Sequence, residues 1–377
     1  MSLKDELCEQ IEQKKDLIEA RKEVVTRTWA YHSVDHIPVL FSVDWLPWPK
    51  TYREEFENGQ IQRRNRMYSI RQSLEMIPDD YIPTAFIDVG CVGLAESFGG
   101  EIFLGDDPGQ TPGIIKPVIT TPQELELRLG EGLTPNFTRG LAAEYLLRLN
   151  AFIEETDERV YVSGMDLNGP MGVAMDLLGS KLLFELLLDE NPLLFGLLET
   201  ITGAICDFTD LAVKRAGTVE RFTSLDYFWY WCPVKGHVSS DLSAMYSGRY
   251  FDLIERTYLE RILETYGGGL LHNCGPNPCT ENYAAMNDLR GLNVSYRYSK
   301  NDLPRFRRHL SGRVVYFFMD DNDEYGSIDD FRHIMDELAP EVIGIPIVSC
   351  LNPTLNIPSL YRQYRTVATE YARRVFG

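Results

Sequence analysis

The sequence predicts an α/β fold: a single (β/α)8 TIM barrel over residues 31–377, preceded by a helical extension over 1–30. Three observations predict it. Eight short apolar runs recur along the chain, each bounded by turn residues. Helical periodicity follows most of them. The runs are almost continuously apolar, which implies burial on both faces, as in a parallel sheet covered by helices. A doubly wound sheet fits less well, because no GxGxxG follows the first run.

Taken in order, residues 4–30 alternate charges with Leu, Ile and Val at helical spacing and read as a solvent-exposed helix. The strand candidates are IPVLFSVD (37–44), TAFIDVG (84–90), VYVSGMDL (160–167) and RFTSLDYF (221–228). They continue with GGLLHNC (268–274), LNVSYRY (292–298), RVVYFFMDD (313–321) and VIGIPIVSC (342–350). Residues 171–216 hold two helices split near Asp189-Glu190-Asn191-Pro192, and 241–266, 327–338 and 357–376 hold others. The segment 92–155 is too long for one crossover. It reads as an elaborated loop after the second strand, placed to cover the barrel mouth.

The chain has 377 residues, with 37 Lys and Arg against 56 Asp and Glu, a formal charge of −19. Such a surface repels phosphate backbones and argues against nucleic acid as a partner. The N-terminus lacks the apolar core of a signal peptide, and the most apolar stretch is broken by Lys181, Glu185, Asp189 and Glu190, so no membrane span is expected. Seven scattered cysteines point to a reducing cytoplasm, with thiols used for packing, metal or catalysis.

In a barrel the chemistry sits at the C-terminal ends of the strands. Those ends carry Asp44, Asp88, Asp166 or Asn168, Asp226, His272 with Cys274, Arg297, Asp320 with Asp321, and Cys350. Each carboxylate reads equally well as a cap of the following helix. His272-Asn273-Cys274 is the sharpest feature. In an extended strand, positions i and i+2 point to one side, so an imidazole and a thiolate can converge on one ion. Zinc accepts mixed nitrogen and sulfur ligands, and three protein ligands with an open position is its catalytic arrangement. Cys350, at the end of the last strand, is the third candidate, and Cys279 competes with it. Trp45, Trp48 and the run Tyr227–Trp231 form either a pocket wall or packing beneath the 92–155 loop.

These residues resemble the uroporphyrinogen decarboxylase superfamily, in particular its cobalamin-dependent methyltransferase branch. VDHIPVL is similar to the family's entry into strand one, DLNGPMGVAMDLLG to its Gly-Pro helix start, LLHNCG to its HxCG motif and IVSCLNPTLNIPSL to its final Cys segment. The resemblance implies zinc held by His272, Cys274 and Cys350, and a methyl group moved between a corrinoid, carried by a small partner protein, and a small thiol or methoxylated substrate. It matches Asp88 to a family Asp. Asp88 and Asp226 are then the candidate catalytic acid/base groups. Asp44, Trp45, Asn168, Tyr227 and Trp229 are the candidate substrate- or cofactor-binding residues. The arginine run that binds propionates in the decarboxylases is replaced here by SVDWLPWPK, so decarboxylation of a porphyrinogen is the weaker alternative. A non-catalytic binding barrel is the other.

Overall fold

A computed structural model describes residues 2–48, 50–78, 80–320, 326–350 and 356–377. It is a mixed α/β structure. Its strands are β1 (Leu40–Val43), β2 (Thr84–Ala85), β3 (Ile102–Phe103), β4 (Gly113–Ile114), β5 (Tyr161–Val162), β6 (Gly236–Ser239), β7 (Gly269–Asn273), β8 (Leu289–Ser295), β9 (Val314–Asp320) and β10 (Ile343–Cys350).

Six of these form one parallel sheet in the order β1-β10-β9-β8-β7-β6. β2 and β5 pair in parallel separately, and a parallel bridge from Val162 to Phe222 extends that pair. The extension continues as Gly164 N donates to Ser224 O at 2.9 Å and Leu225 N to Lys235 O at 2.8 Å. The strand expected over 221–228 is therefore one bridge and a few hydrogen bonds. β6, which no apolar run announces, takes the place beside β7. Between β1 and β2 no ladder joins the two sheets among the described residues.

β1, β9 and β10 are rich in Val, Ile and Phe, and β6, β7 and most of β10 are buried. Helices cover them. The helix Pro170–Leu188 starts with Gly169 at its N-cap and Pro170 at N1, where a missing N–H costs nothing. Asn191 caps the next helix, Pro192–Ala216, which ends at Gly217 in the left-handed conformation. That helix is the one described segment long and apolar enough, by length and composition, to cross a membrane. Half of its most apolar window is buried inside the protein, which is the pattern of a core helix.

The N-terminal region differs from the single helix expected. It is two helices, Leu3–Gln13 and Lys15–Trp29, separated at Lys14, the first opened by a Ser2/Asp5 capping box. Neither is fully solvent-exposed: Leu7, Ile11, Ile18 and Val25 are buried. Arg21 is buried too, and its guanidinium donates to the carbonyls of Ile77, Pro78 and Tyr81 just ahead of β2. The 92–155 segment contains the helix Gly93–Ser97, the antiparallel β3–β4 hairpin and the helices Pro122–Gly130 and Gly140–Glu155.

Candidate active site and metal centre

A cavity of about 440 Å³ opens at the C-terminal ends of the strands. Ser239 and Asp241 reach it from β6 and the turn after it, His272 from β7 and Cys274 from just beyond it, Phe318 and Met319 from β9, and Ile347 and Ser349 from β10. Ser42 comes from β1, Cys91 from beyond β2, and Asp166, Asn168, Tyr227 and Trp229 from beyond β5 and the Phe222 bridge. Among the described residues, none of those lining the cavity belongs to 92–155.

His272 and Cys274 come together as their spacing requires, and Asp241 joins them. The ligand atoms of these three residues lie within 4.8 Å of one another. His272 Nε2 is 3.6 Å from Asp241 Oδ1. The register explains the meeting: Ser239 pairs with His272, so the turn after β6 stands beside the end of β7. Asp241 is held by donors on both oxygens, Cys274 N at 2.8 Å on Oδ1 and Ser239 Oγ at 2.8 Å on Oδ2. His272 Nδ1 lies 2.7 Å from Asn293 Oδ1. An amide oxygen only accepts, so Nδ1 carries the proton and the Nε2 lone pair faces Asp241 and the cavity.

Burial favours the neutral His272 ring and holds its imidazole pKa down, although Asp241 pulls it up. Burial and then Asp241 push the Cys274 thiol up to about 12. Asp241 goes the other way: burial raises it, but His272 and the Cys274 backbone N–H outweigh that and hold it below the usual carboxylate range.

Cys350 is not part of this group. It is buried at the end of β10 beside Val43, and its neighbour Ser349 lines the cavity instead. Asp241, and not the expected Cys350, is the third member of the group. Cys279 stays with packing, its thiol against the carbonyls of Ser243 and Tyr246 at 3.6 Å.

The other expected residues divide. Asn168, Tyr227 and Trp229 line the cavity. Asp226 lies beneath it, buried, with Oδ1 accepting from the backbone N–H of Leu167 at 3.0 Å and of Tyr227 at 2.8 Å. Its Oδ2 is 3.5 Å from His237 Nδ1. Asp88 is half-buried behind Cys91, held by Tyr52 Oη at 3.1 Å and Gly90 N at 2.8 Å, and burial raises its pKa. Both therefore support the rim rather than face the cavity. Asp44 and Trp45 do not reach the cavity either. Asp44 is exposed and pairs with Lys50 at 3.4 Å, and the Trp45 indole donates to Ser73 Oγ at 2.7 Å. Asp321 lies outside the described residues.

Sequence reasoning missed Asp241 and Cys91, and placed Asp166 only as an alternative to Asn168. Burial, then the neighbouring Asp226, pushes the Asp166 carboxyl well above its ordinary value. The aromatic run splits by parity. Tyr227 and Trp229 face the cavity, whereas Phe228 and Tyr230 are buried, Phe228 packing against His237 and Tyr316.

No protein-family model and no curated protein sequence matches the chain. Its fold has a counterpart among solved structures. A methyltransferase from Methanosarcina mazei superposes with a TM-score of 0.65 over 93% of this chain and 98% of its own, at 17% identity. At that identity the likeness establishes a shared fold.

Proposed function

We propose that this protein is a (β/α)8-barrel methyltransferase that holds zinc through Asp241, His272 and Cys274 and moves a methyl group between a small molecule and a corrinoid on a small partner protein. The observation that carries the proposal is the converged nitrogen, sulfur and oxygen donor set at one end of a parallel sheet. Bond lengths of about 2.0–2.2 Å in a tetrahedral site separate a nitrogen and an oxygen ligand by about 3.4 Å. The 3.6 Å between His272 Nε2 and Asp241 Oδ1 fits that spacing. The Asn293 bond fixes the ring and its tautomer as an outer-shell partner does. The solved neighbour of like fold is a methyltransferase, which supports the class of reaction. The corrinoid rests on the resemblance of the sequence motifs to the cobalamin-dependent branch.

Zinc here supplies charge that lowers the pKa of a bound thiol, or polarises a bound oxygen. The chain does the rest. Cys274 would hold the metal as a thiolate, because a dication would offset the effect of Asp241 on the thiol. Tyr227, Trp229 and Phe318 exclude water from one side of the cavity. Burial and the neighbouring Asp226 raise the Asp166 carboxyl on the cavity wall, which places a proton-exchanging group beside the site. A porphyrinogen decarboxylase is disfavoured, since no Lys or Arg lines the cavity among the described residues to receive carboxylates.

Metal analysis of the purified protein tests this directly. About one zinc per chain is expected, with its loss in Cys274→Ala and His272→Ala. A metal-free wild type that converts methylcobalamin, followed by its visible spectrum, would remove the zinc proposal. Zinc-loaded protein that never changes that spectrum with any methyl donor or acceptor would remove the corrinoid.

A further inference from the structure

We infer that the cavity selects an organic cation, a methylated ammonium group, as the substrate moiety it binds. This rests on the proposed function only for the site's use as a methyl-transfer pocket.

Two independent features of the cavity point the same way. The first is aromatic geometry. Tyr227 and Trp229 meet nearly edge to face, with ring centroids 5.0 Å apart and planes at 79°, so they form two walls of a corner. Phe318 stands 5.5 Å from Trp229 at 35° and supplies a third wall. Phe86 packs on Trp229 at 5.0 Å and 33°. Aromatic faces around a recess attract a cation through the ring quadrupole, and quaternary ammonium groups are bound in such cages.

The second is charge. The cavity residues include two carboxylic acids, Asp166 and Asp241, and no Lys or Arg among the described residues. Zinc at the triad would be balanced by the Asp241 carboxylate and the Cys274 thiolate, so the metal would add no net positive charge to the cavity. What remains is Asp166 with Asp226 behind it. Asp166 takes one hydrogen bond among the described residues, from Asn168 N to Oδ1 at 3.3 Å, and lies half-buried on the cavity wall. Asp226 has His237 Nδ1 at 3.5 Å, whereas no Lys or Arg lines the cavity beside Asp166 among the described residues, so the two carboxyls do not both ionise cheaply. A bound ammonium supplies the missing counter-charge, whereas a carboxylate, sulfonate or phosphate at the same place meets only like charge.

Isothermal titration of the as-purified protein tests this with three probes of similar shape: choline, its neutral isostere 3,3-dimethylbutan-1-ol, and 3,3-dimethylbutanoate. Choline should bind at least tenfold tighter than the alcohol, and the carboxylate should show no measurable binding. Trp229→Leu should erase the preference and Trp229→Phe should keep it, with circular dichroism confirming both folds. Asp166→Asn should reduce the preference several-fold. Equal or tighter binding of the alcohol or the carboxylate would overturn the inference, as would an unchanged preference in folded Trp229→Leu. Zinc content measured on the same samples separates the two ideas. Zinc without cation preference refutes the inference and leaves the function standing, and cation preference without zinc does the reverse.

Discussion

Asn293→Leu should weaken zinc binding without unfolding the protein. The amide is fully buried on β8, and its oxygen holds His272 Nδ1 at 2.7 Å. Leucine keeps most of the volume and removes the acceptor. The buried Nδ1–H is then unpaired, at a cost of about 1–3 kcal/mol. The ring relieves this by moving the proton to Nε2, the atom that faces Asp241, and there it blocks the lone pair a metal needs. Losing such an outer-shell partner weakens metal affinity about 10- to 100-fold, or roughly 1.4–2.8 kcal/mol. Competition against a chromophoric chelator at fixed pH measures it, with far-UV circular dichroism as the fold control. Asn293→Asp keeps an acceptor at the same place and should hold affinity at or above wild type. A folded Asn293→Leu protein with unchanged zinc affinity would refute the role of His272 Nε2 as a ligand.

Cys350→Ser should retain zinc at wild-type stoichiometry, measured by plasma emission analysis, because Cys350 lies outside the donor group. Gly169→Ala should destabilise the fold by about 3 kcal/mol or more, since an added Cβ would overlap the Ser239 carbonyl oxygen and push the β6 end away from the cavity. Thermal melts of that variant should show a lower midpoint. Glu255 gives a pH dependence of defined sign. Burial, opposed by Ser240 and reinforced by Asp241, raises its carboxyl from 4.5 to about 8. The folded state keeps a proton that the unfolded chain releases near 4.5, so this group's contribution to stability is complete below that pH and is lost as pH rises towards about 8. The slope is at most about 1.4 kcal/mol per pH unit. Glu255→Gln should flatten the dependence of the denaturation midpoint between about pH 5 and about pH 8 by that amount. An unchanged slope would contradict it.

The parts of this site that were legible in the sequence share one property: their signal is local. His272 is on β7 and Cys274 follows one residue past its end, so a local spacing of two residues brings them to one side. Tyr227 and Trp229 are again i and i+2, although only the structure shows which parity of that aromatic run faces the cavity. Asp241 had no such signal. It follows β6, whose Gly236-His237-Val238-Ser239 is too short and too polar to register as an apolar run. That strand exists because it pairs with β7, and only this long-range pairing sets Asp241 beside His272. Trp45 and Asp44 failed for the complementary reason. Being at a strand's end does not specify direction, and local partners, Ser73 and Lys50, hold them away from the cavity. The split of the N-terminal helix at Lys14 was likewise invisible, because helical periodicity continues on both sides of it.

X-ray absorption at the zinc edge measures the central claim most directly, because it counts sulfur neighbours. With Cys274 as the one thiolate, and His272 and Asp241 beside it, the zinc shell should fit one sulfur at about 2.3 Å and nitrogen or oxygen at about 2.0–2.2 Å in the remaining positions. A shell with two sulfurs would place a second cysteine, Cys91 or Cys350, on the metal and contradict the assignment of Asp241, and protein free of bound zinc would contradict the metal centre altogether.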